Sequence, residues 1–201
     1  MISIIDYDGG NYKSVINILR RLKIEYLLTN KKEEIFKSKK IILPGVSNFN
    51  YCIKKLKDLN LDKILHEAVI ENKKKILGIC SGMQVLGTYS EEGDTEGLNF
   101  VNGIIKKIQY DKFFRVPHMG WSKVKINNND LFREIDDLTR FYFCHSYHFT
   151  SEDKNLNIST TNYKFDICAA FNYQNIYGVQ FHPEKSYLDG SRLINNFCEI
   201  C

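Results

Sequence analysis

The sequence predicts a single α/β domain over residues 1–201, in which a central, mostly parallel sheet carries helices on both faces and antiparallel strands at one edge. In the first half, short β-branched runs alternate with helical patterns, which is typical of parallel strands joined by crossover helices. From about Leu98, short strands with hydrophilic connections indicate antiparallel pairing instead. With 201 residues, 43% of them hydrophobic, the chain is long enough for one buried core and too short for two independent domains.

Four strands and three helices are predicted before Leu98. The clearest helix follows the first strand, because Val15, Leu19 and their apolar neighbours recur at i, i+3 and i+4. In chain order, the predicted elements are a strand at 2–5, a helix with Tyr12, Val15, Ile16, Leu19 and Leu22 on one face, strands at 25–28 and 41–43, helices at 49–56 and 61–70, and a strand at 75–79.

Five strands and a final helix are predicted after Leu98. We expect the strands to be antiparallel additions at one edge of the sheet, at 103–109, 122–126, 141–144, 168–173 and 176–181. The helix, at 190–200, places Leu193, Ile194 and Phe197 on one face.

Composition and charge argue against several classes of function. The net charge of +4 comes from scattered lysines without a long basic block, so we expect no nucleic-acid partner. No stretch approaches the ~20 apolar residues of a membrane span, and the N-terminus lacks a signal pattern, so we expect a cytoplasmic protein without membrane contact. The six cysteines occur without a secretory signal and the histidines show no ligand spacing, so we expect no disulfides, metal or other cofactor. Cys144 and Cys168, which lie inside apolar runs, are expected to be buried.

The segment Gly78-Ile79-Cys80-Ser81-Gly82 has the pattern of a nucleophile at a sharp strand-to-helix turn. Such a turn lifts the nucleophile out of the sheet and leaves no room for side chains on either side, which the two glycines satisfy. The following helix would direct its N–H groups at the sulfur and favour the thiolate. The alternative is a buried structural cysteine at a tight turn.

A histidine and a carboxylate follow the last apolar strand. His182 and Glu184 are two residues apart, so in extended geometry both side chains point from one face and the carboxylate can orient the imidazole. His182 alone could simply be satisfied by local hydrogen bonds. Together with Cys80, the pair predicts a Cys-His-Glu catalytic triad.

These two segments, 78–84 and 182–184, resemble those of the class I (triad) glutamine amidotransferases, whose fold is flavodoxin-like. Further segments resemble, in order and spacing, the glutaminase subunit of imidazole glycerol phosphate synthase (HisH), and the match spans nearly the whole chain. They are Asp6-Tyr7-Asp8-Gly9-Gly10-Asn11, Pro44-Gly45-Val46-Ser47-Asn48-Phe49, Val116-Pro117-His118-Met119-Gly120-Trp121, His145-Ser146-Tyr147 and Lys185-Ser186.

The resemblance implies hydrolysis of L-glutamine to glutamate and ammonia. Cys80 would attack the carboxamide carbon, His182 would carry the proton to the departing ammonia, and Glu184 would steady the imidazolium. A γ-glutamyl thioester would form and then be hydrolysed. The ammonia would pass to a HisF-like synthase subunit, a separate chain in a heterodimer, for histidine biosynthesis.

The resemblance also implies roles for other residues. The oxyanion hole would use backbone N–H groups of Ser81 and of the loop containing Val46 and Ser47. The residues implied in binding glutamine are Gly45, Gln84, His145, Ser146 and Tyr147, and those implied at the partner interface are Asn11, Trp121 and Lys185. Gln84 could instead be an ordinary polar helix residue, and Trp121 a core residue.

Three positions depart from the family pattern. Ser47 and Asp8 stand where glycine is usual, and Ser81 is not the commonest residue after the nucleophile. Completing the oxyanion hole by turning the Val46–Ser47 peptide would require backbone angles that serine reaches less readily than glycine. The departures leave open a paralogue that feeds another synthase, such as one forming an amidino-modified sugar. A cysteine hydrolase or protease of similar architecture and a non-catalytic interaction protein are two further hypotheses.

Overall fold

The computed structural model describes residues 1–109, 115–127 and 129–201. Its helices and strands, in chain order, are β1 Ile2–Ile5, α1 Tyr12–Arg21, β2 Tyr26–Thr29, α2 Lys32–Lys37, β3 Lys40–Gly45, α3 Phe49–Asp58, α4 Leu61–His66, β4 Lys75–Cys80, α5 Ser81–Gln84, β5 Tyr89–Ser90, β6 Thr95–Glu96, β7 Ile104–Lys107, β8 His118–Lys125, β9 Arg140–His145, β10 Tyr147–Thr150, β11 Asn157–Tyr163, β12 Phe165–Tyr173, β13 Ile176–Val179 and α6 Tyr187–Glu199. The predicted helix at 61–70 is α4 followed by a π-helical turn, Glu67–Glu71.

The central sheet has the strand order β2-β1-β3-β4-β13-β12-β11-β8-β9 in the described part of the chain. The first five strands in this order, β2, β1, β3, β4 and β13, are parallel to one another. The remaining strands, β12, β11, β8 and β9, are each antiparallel to the strand that precedes them in this order. The predicted α/β architecture, a mostly parallel sheet with antiparallel strands at one edge, is therefore confirmed.

Helices cover both faces of the sheet, as predicted. Residues of α1 and α6, including Leu19 and Phe197, form one buried cluster with the sheet, and residues of α2, α3 and α4 form the other. The period of two in β3 divides the strand between these cores, since Ile42 joins the first cluster while Ile41 and Leu43 join the second. Burying a fully enclosed residue such as Leu43 stabilises the fold by roughly 1.5–3 kcal/mol.

Two strands have partners other than those expected. β13 was predicted as an antiparallel edge strand, but it lies inside the sheet and pairs with β4 in parallel, with Gly178 opposite Gly78. β7 was placed at the same edge, but it belongs to a second sheet of order β10-β7-β5-β6. Apolar patterning identifies a buried strand and does not say which strand it pairs with, because pairing depends on how the connections return across the sheet.

Several elements were missed by the sequence analysis. β5 and β6 have two residues each, too few to show a period, and α2 has six. β11 is rich in Ser, Thr and Asn, and even its buried residues Ser159 and Thr161 are polar. The strand therefore shows no alternation of apolar and polar residues. Within the described ranges, no helix has the length and apolar character required to cross a membrane.

The turn from β4 into α5 brings two backbones into direct contact. A Cβ on Gly82 would lie 1.9 Å from the carbonyl oxygen of Leu43, and one on Gly78 would lie 2.5 Å from the carbonyl oxygen of Gly82. The predicted need for small residues on both sides of Cys80 therefore has a steric cause. A larger residue would push α5 away from β3.

Gly82→Ala is expected to lower the free energy of unfolding by about 3 kcal/mol, because backbone atoms of β3 cannot move aside for the new methyl group. The control is Gly120→Ala, where a Cβ meets nothing within 4 Å and only the φ of +132° opposes the substitution. We expect that control to lose about 1–2 kcal/mol. Urea unfolding checks both variants, and a larger loss in Gly120→Ala than in Gly82→Ala would contradict the steric account.

Candidate active site

Cys80 is held in a strained backbone conformation at the end of β4. Its φ of 55° and ψ of −114° lie outside the regions that residues with a side chain normally occupy. α5 begins at the next residue, so the strand turns into a helix at the cysteine. Although the side chain is only 5% exposed, this is the turn predicted for a nucleophile rather than for a structural cysteine.

The backbone of His182 is fixed from two sides. Its N–H donates to the carbonyl oxygen of Tyr142 on β9 at 2.8 Å, and the Ser186 hydroxyl donates to its carbonyl oxygen at 2.7 Å. Ser186 Oγ also accepts from the N–H of Tyr142 at 3.1 Å. Ser186 thus links β9 to the segment that follows β13 and holds the histidine at the strand ends.

His182 and Glu184 form a buried pair. The distance between His182 Nδ1 and Glu184 Oε1 is 2.8 Å, and the two side chains are 4% and 3% exposed. Extended geometry was the wrong reason to expect this contact, because Pro183–Lys185 is a 3-10 turn that returns the carboxylate beneath the ring. Since a carboxylate oxygen accepts, Nδ1 carries the proton and Nε2 is left for chemistry.

The charge on His182 depends on Cys80 as well as on Glu184. Burial disfavours the imidazolium, but the charge and hydrogen bond of Cys80, followed by those of Glu184, outweigh burial and raise the pKa of His182 well above its ordinary value. A buried imidazole between a thiol and a carboxylate is placed to take up the proton that the thiol gives up.

Cys80 and His182 lie on the wall of a cavity of about 470 Å³, which is large enough for a free amino acid. Most of the residues implied in the oxyanion hole and in glutamine binding share this wall. They are Val46, Ser47, Ser81, Gln84, His145, Ser146 and Tyr147, together with Lys185. Asn48, Glu92, Pro117 and Cys144 also line the cavity and were not predicted as site residues.

Gly45 and Cys144 differ from expectation. Gly45 ends β3 directly opposite Cys80 in the register, and the cavity wall begins at the next residue. Cys144 is only half-buried, in contrast to Cys168, which is buried as predicted. The period of two in β9 turns Phe143 and His145 into the interior and leaves Cys144 on the other face.

Gln84 is not an ordinary polar helix residue, because its side chain is buried and both of its amide hydrogens are used. Nε2 donates to the carbonyl oxygen of Tyr147 and to Gln180 Oε1, each at 2.9 Å. Only the amide oxygen of Gln84 remains to accept from a molecule in the cavity. Gln180 was missed, although a single polar residue within the apolar run 176–181 was a visible signal.

The loop implied in the oxyanion hole has its amide engaged elsewhere. The Val46 N–H donates to the carbonyl oxygen of Gly9 at 2.9 Å, and the Ser47 carbonyl oxygen accepts from the Ser81 hydroxyl at 2.6 Å. Ser47 does not have a positive φ. The expected donation by Val46 is therefore not formed in this conformation, and it would require the bond to Gly9 to break.

Asp8 shows how a residue other than glycine fits the N-terminal loop. Its φ is +63°, in the left-handed region that aspartate tolerates better than most residues. Its carboxylate accepts from the Tyr51 hydroxyl at 2.9 Å and lies 3.3 Å from Lys55 Nζ. These contacts tie the loop to α3.

Trp121 is a surface residue, so the interpretation as a core residue is wrong. It is 41% exposed, stacks on Tyr187 with ring centroids 5.1 Å apart and meets the ring of Tyr142 edge-on. Lys185 Nζ lies 5.4 Å from the centroid of the Tyr142 ring. Trp121 and Lys185 therefore share one aromatic surface patch. Asn11 donates to Ser14 at the start of α1, which packs against the turn 183–185.

Two neutral histidines support the cavity wall. Burial lowers the pKa of His118 to about 4, and burial together with the neighbouring His118 lowers that of His145 to about 3. His145 Nδ1 lies 2.8 Å from the carbonyl oxygen of Tyr147 and must donate to it. In the described part of the chain, no cluster of three or more His, Cys, Asp or Glu side chains could hold a metal ion.

The model of the family "Glutamine amidotransferase class-I" matches residues 3–201. The chain belongs to this family. The amidotransferase is 43% identical to imidazole glycerol phosphate synthase subunit HisH 2 of Methanococcus maripaludis, with 98% of each chain covered, and 39% identical to subunit HisH of Leptospira borgpetersenii over the full length of both. A solved structure titled as a glutamine amidotransferase superimposes with a TM-score of 0.79 at 18% identity, covering 98% of this chain and 97% of the other. The family resemblance and the fold predicted from the sequence are thus confirmed.

The pKa of His182 is expected to fall in Cys80→Ala, and to fall by a smaller amount in Glu184→Gln, because Cys80 is the stronger of the two influences that raise it. With a partner removed, burial dominates and the ring loses its proton at lower pH. Titration of the ring nitrogens by NMR measures the change. Cys144→Ala, which removes another thiol from the same cavity wall, should leave the pKa of His182 where it is. An unaltered pKa in Cys80→Ala would show that the ring and the sulfur do not interact.

Proposed function

We propose that this amidotransferase is the glutaminase subunit of an imidazole glycerol phosphate synthase, which hydrolyses L-glutamine and supplies the ammonia to a HisF-like synthase subunit in histidine biosynthesis. The observation that carries the proposal is the arrangement of Cys80, His182 and Glu184 after the ends of β4 and β13. Cys80 and His182 line one cavity, and Glu184 is paired with His182. Full-length similarity to proteins named as HisH subunits supports the choice of synthase.

The proposed reaction begins with the Cys80 thiolate attacking the carboxamide carbon of glutamine. The oxyanion that develops accepts from the Ser81 N–H, and from the Val46 loop once that loop has turned. The imidazolium of His182 then donates its Nε2 proton to the leaving nitrogen, and ammonia departs as the γ-glutamyl thioester forms. His182, now neutral, takes a proton from water as the water attacks the thioester, which releases glutamate and restores the thiolate pair.

Glutamine would be held by groups that complement its two ends. Gln84 offers only its amide oxygen, so it would accept from an N–H of the substrate. The segment from His145 to Tyr147 and the residue Gly45 remain proposed binding positions. The neutral state of His145 suits a positioning role, because the ring donates to the Tyr147 carbonyl and adds no charge.

A partner is proposed because ammonia released into water is mostly protonated and is then not a nucleophile. A docked synthase would receive ammonia directly. The proposed docking surface contains Asn11, Trp121 and Lys185, of which Trp121 and Lys185 lie on the aromatic patch with Tyr142 and Tyr187. A tryptophan stacked on a tyrosine at the surface is typical of an interface anchor. A cytoplasmic location belongs to this proposal.

The other interpretations receive less support. A paralogue that feeds an unrelated synthase is not favoured, since full-length relatives carry the HisH name. A protease would not require an amide-binding glutamine buried beside the nucleophile. A non-catalytic descendant would be expected to lack a triad residue, and all three are present.

Cys80→Ala is expected to lower glutamate production at least ~10³-fold, because the nucleophile of the reaction is lost. A diazo-ketone analogue of glutamine should label Cys80 in the wild-type protein, and glutamine should protect against the label. The control is Cys198→Ala, which removes a thiol of α6 outside the cavity, keeps the nucleophile and should retain activity. An undiminished rate in Cys80→Ala, or protection by peptides and not by glutamine, would rule out the proposed glutaminase.

Trp121→Ala is expected to weaken binding to the synthase subunit about tenfold or more, since a large exposed aromatic ring stacked on Tyr187 is lost from the proposed docking surface. Calorimetric titration with the purified synthase subunit measures the affinity. Phe165→Ala, which also removes a partly exposed ring but lies on β12, outside the aromatic patch, is the matched control. Equal affinities for Trp121→Ala and the wild-type protein would place the docking surface elsewhere.

A further inference from the structure

Gln180 is a fully buried amide next to the reactive sulfur. It follows β13 directly, it is 0% exposed, and its backbone N–H donates to the carbonyl oxygen of Ala169 at 2.8 Å. Its side chain reaches across the strand ends, where Nε2 lies 3.8 Å from Cys80 Sγ and Oε1 lies 2.9 Å from Gln84 Nε2. Burying an amide requires partners for its donors, and the sulfur is one of them.

The orientation of the Gln180 amide follows from hydrogen-bond chemistry alone. The Tyr147 carbonyl can only accept, so the group of Gln84 that faces it must be the amide nitrogen. The second hydrogen of that nitrogen points at Gln180, which must present its oxygen there. Gln180 therefore turns its own nitrogen to Cys80, as an N–H donor and not as an acceptor.

The Tyr147 carbonyl, from which this assignment of donors and acceptors starts, is itself held by a second hydrogen bond. It also accepts from His145 Nδ1, so His145 Nε2 has no hydrogen and accepts from His118 Nδ1 at 3.0 Å. The remaining ring nitrogen of His118 then accepts from the Ser122 hydroxyl at 2.8 Å. Both rings are neutral, in agreement with one donor and one acceptor nitrogen each.

Two groups near the sulfur favour opposite protonation states. The Cys144 carbonyl oxygen, 3.9 Å from Sγ, can accept only from a thiol. The Gln180 N–H can donate to either form, but a hydrogen bond to a charged acceptor is about twice as strong as one to a neutral acceptor. The Gln180 amide therefore adds to the preference for thiolate that His182 creates.

We propose that Gln180 is a further residue of the catalytic site, whose side-chain N–H donates to the Cys80 sulfur and stabilises the thiolate before substrate attack. The proposal rests on the proposed glutaminase function for its role in turnover, and on geometry alone for its effect on the sulfur. Gln84, which is also proposed to contact glutamine, sets the direction of this donor.

The test compares two variants with a matched control. Gln180→Met keeps the length of the side chain but removes the amide donor, and Gln180→Leu removes the amide with a shorter side chain; neither adds charge. Gln174→Leu makes the same chemical change at an exposed turn between β12 and β13. Alkylation of Cys80 by iodoacetamide is followed by mass spectrometry of its peptide across a range of pH.

At pH 7 we expect alkylation of Cys80 to slow about tenfold in both Gln180 variants, which corresponds to the loss of one hydrogen bond to a charged group. At high pH, once the thiol is ionised in every variant, the rates should converge with those of the wild-type protein and Gln174→Leu. Equal slowing at all pH values would indicate a blocked or distorted site, and it would overturn the proposal, as would no slowing at all.

A second measurement requires no variant at position 180, so misfolding of the variants leaves the proposal open to refutation. The NMR resonances of the Gln180 side-chain amide should move with pH in parallel with the alkylation profile, and they should stay fixed in Cys80→Ala. Chemical shifts of the Gln180 amide that do not change as Cys80 ionises would overturn the proposal. Glutamate production is assayed separately. Absent activity in the wild-type protein, combined with the expected alkylation profile, would refute the proposed function and leave the assignment of Gln180 standing.

Discussion

The contact between the backbones of α5 and β3 is the constraint on which the rest of the site depends. Because Gly82 lies against the carbonyl oxygen of Leu43, the chain has to turn within one residue at the end of β4. Cys80 occupies that residue and takes up a φ of 55°. The strain is maintained by the packing of the sheet around it, since β3 and β13 flank β4 on both sides.

The same arrangement of strands explains why the base and its carboxylate lie next to the cysteine. β4 and β13 are parallel neighbours in register, so the residues that follow them emerge at the same edge of the sheet. His182 follows shortly after β13, and β9 and Ser186 hold its backbone. A helical turn then supplies Glu184 from beneath the ring. The triad thus joins two strand ends that are far apart in the chain.

A chain of buried hydrogen bonds leads to the sulfur of this triad. The chain of contacts runs from Ser122 through His118 and His145 to the Tyr147 carbonyl, and from there through Gln84 and Gln180 to the sulfur. Linked buried hydrogen bonds of this kind hold their side chains in single orientations. It connects β8, which also carries the exposed Trp121, with the nucleophile.

The sequence by itself determined the fold class, the positions of the parallel strands β1 to β4 and the residues of the proposed triad, because apolar periodicity, glycine spacing and short motifs are local properties of a chain. It did not determine that β13 lies beside β4, that Cys144 faces the cavity, or that a helical turn and not an extended strand brings Glu184 to His182. Those outcomes depend on which strands pair and how their connections return. The partners of Gln180 and the engagement of Val46 by Gly9 were likewise decided by the tertiary structure, because a hydrogen bond between distant residues exists only after the sheet has brought them together.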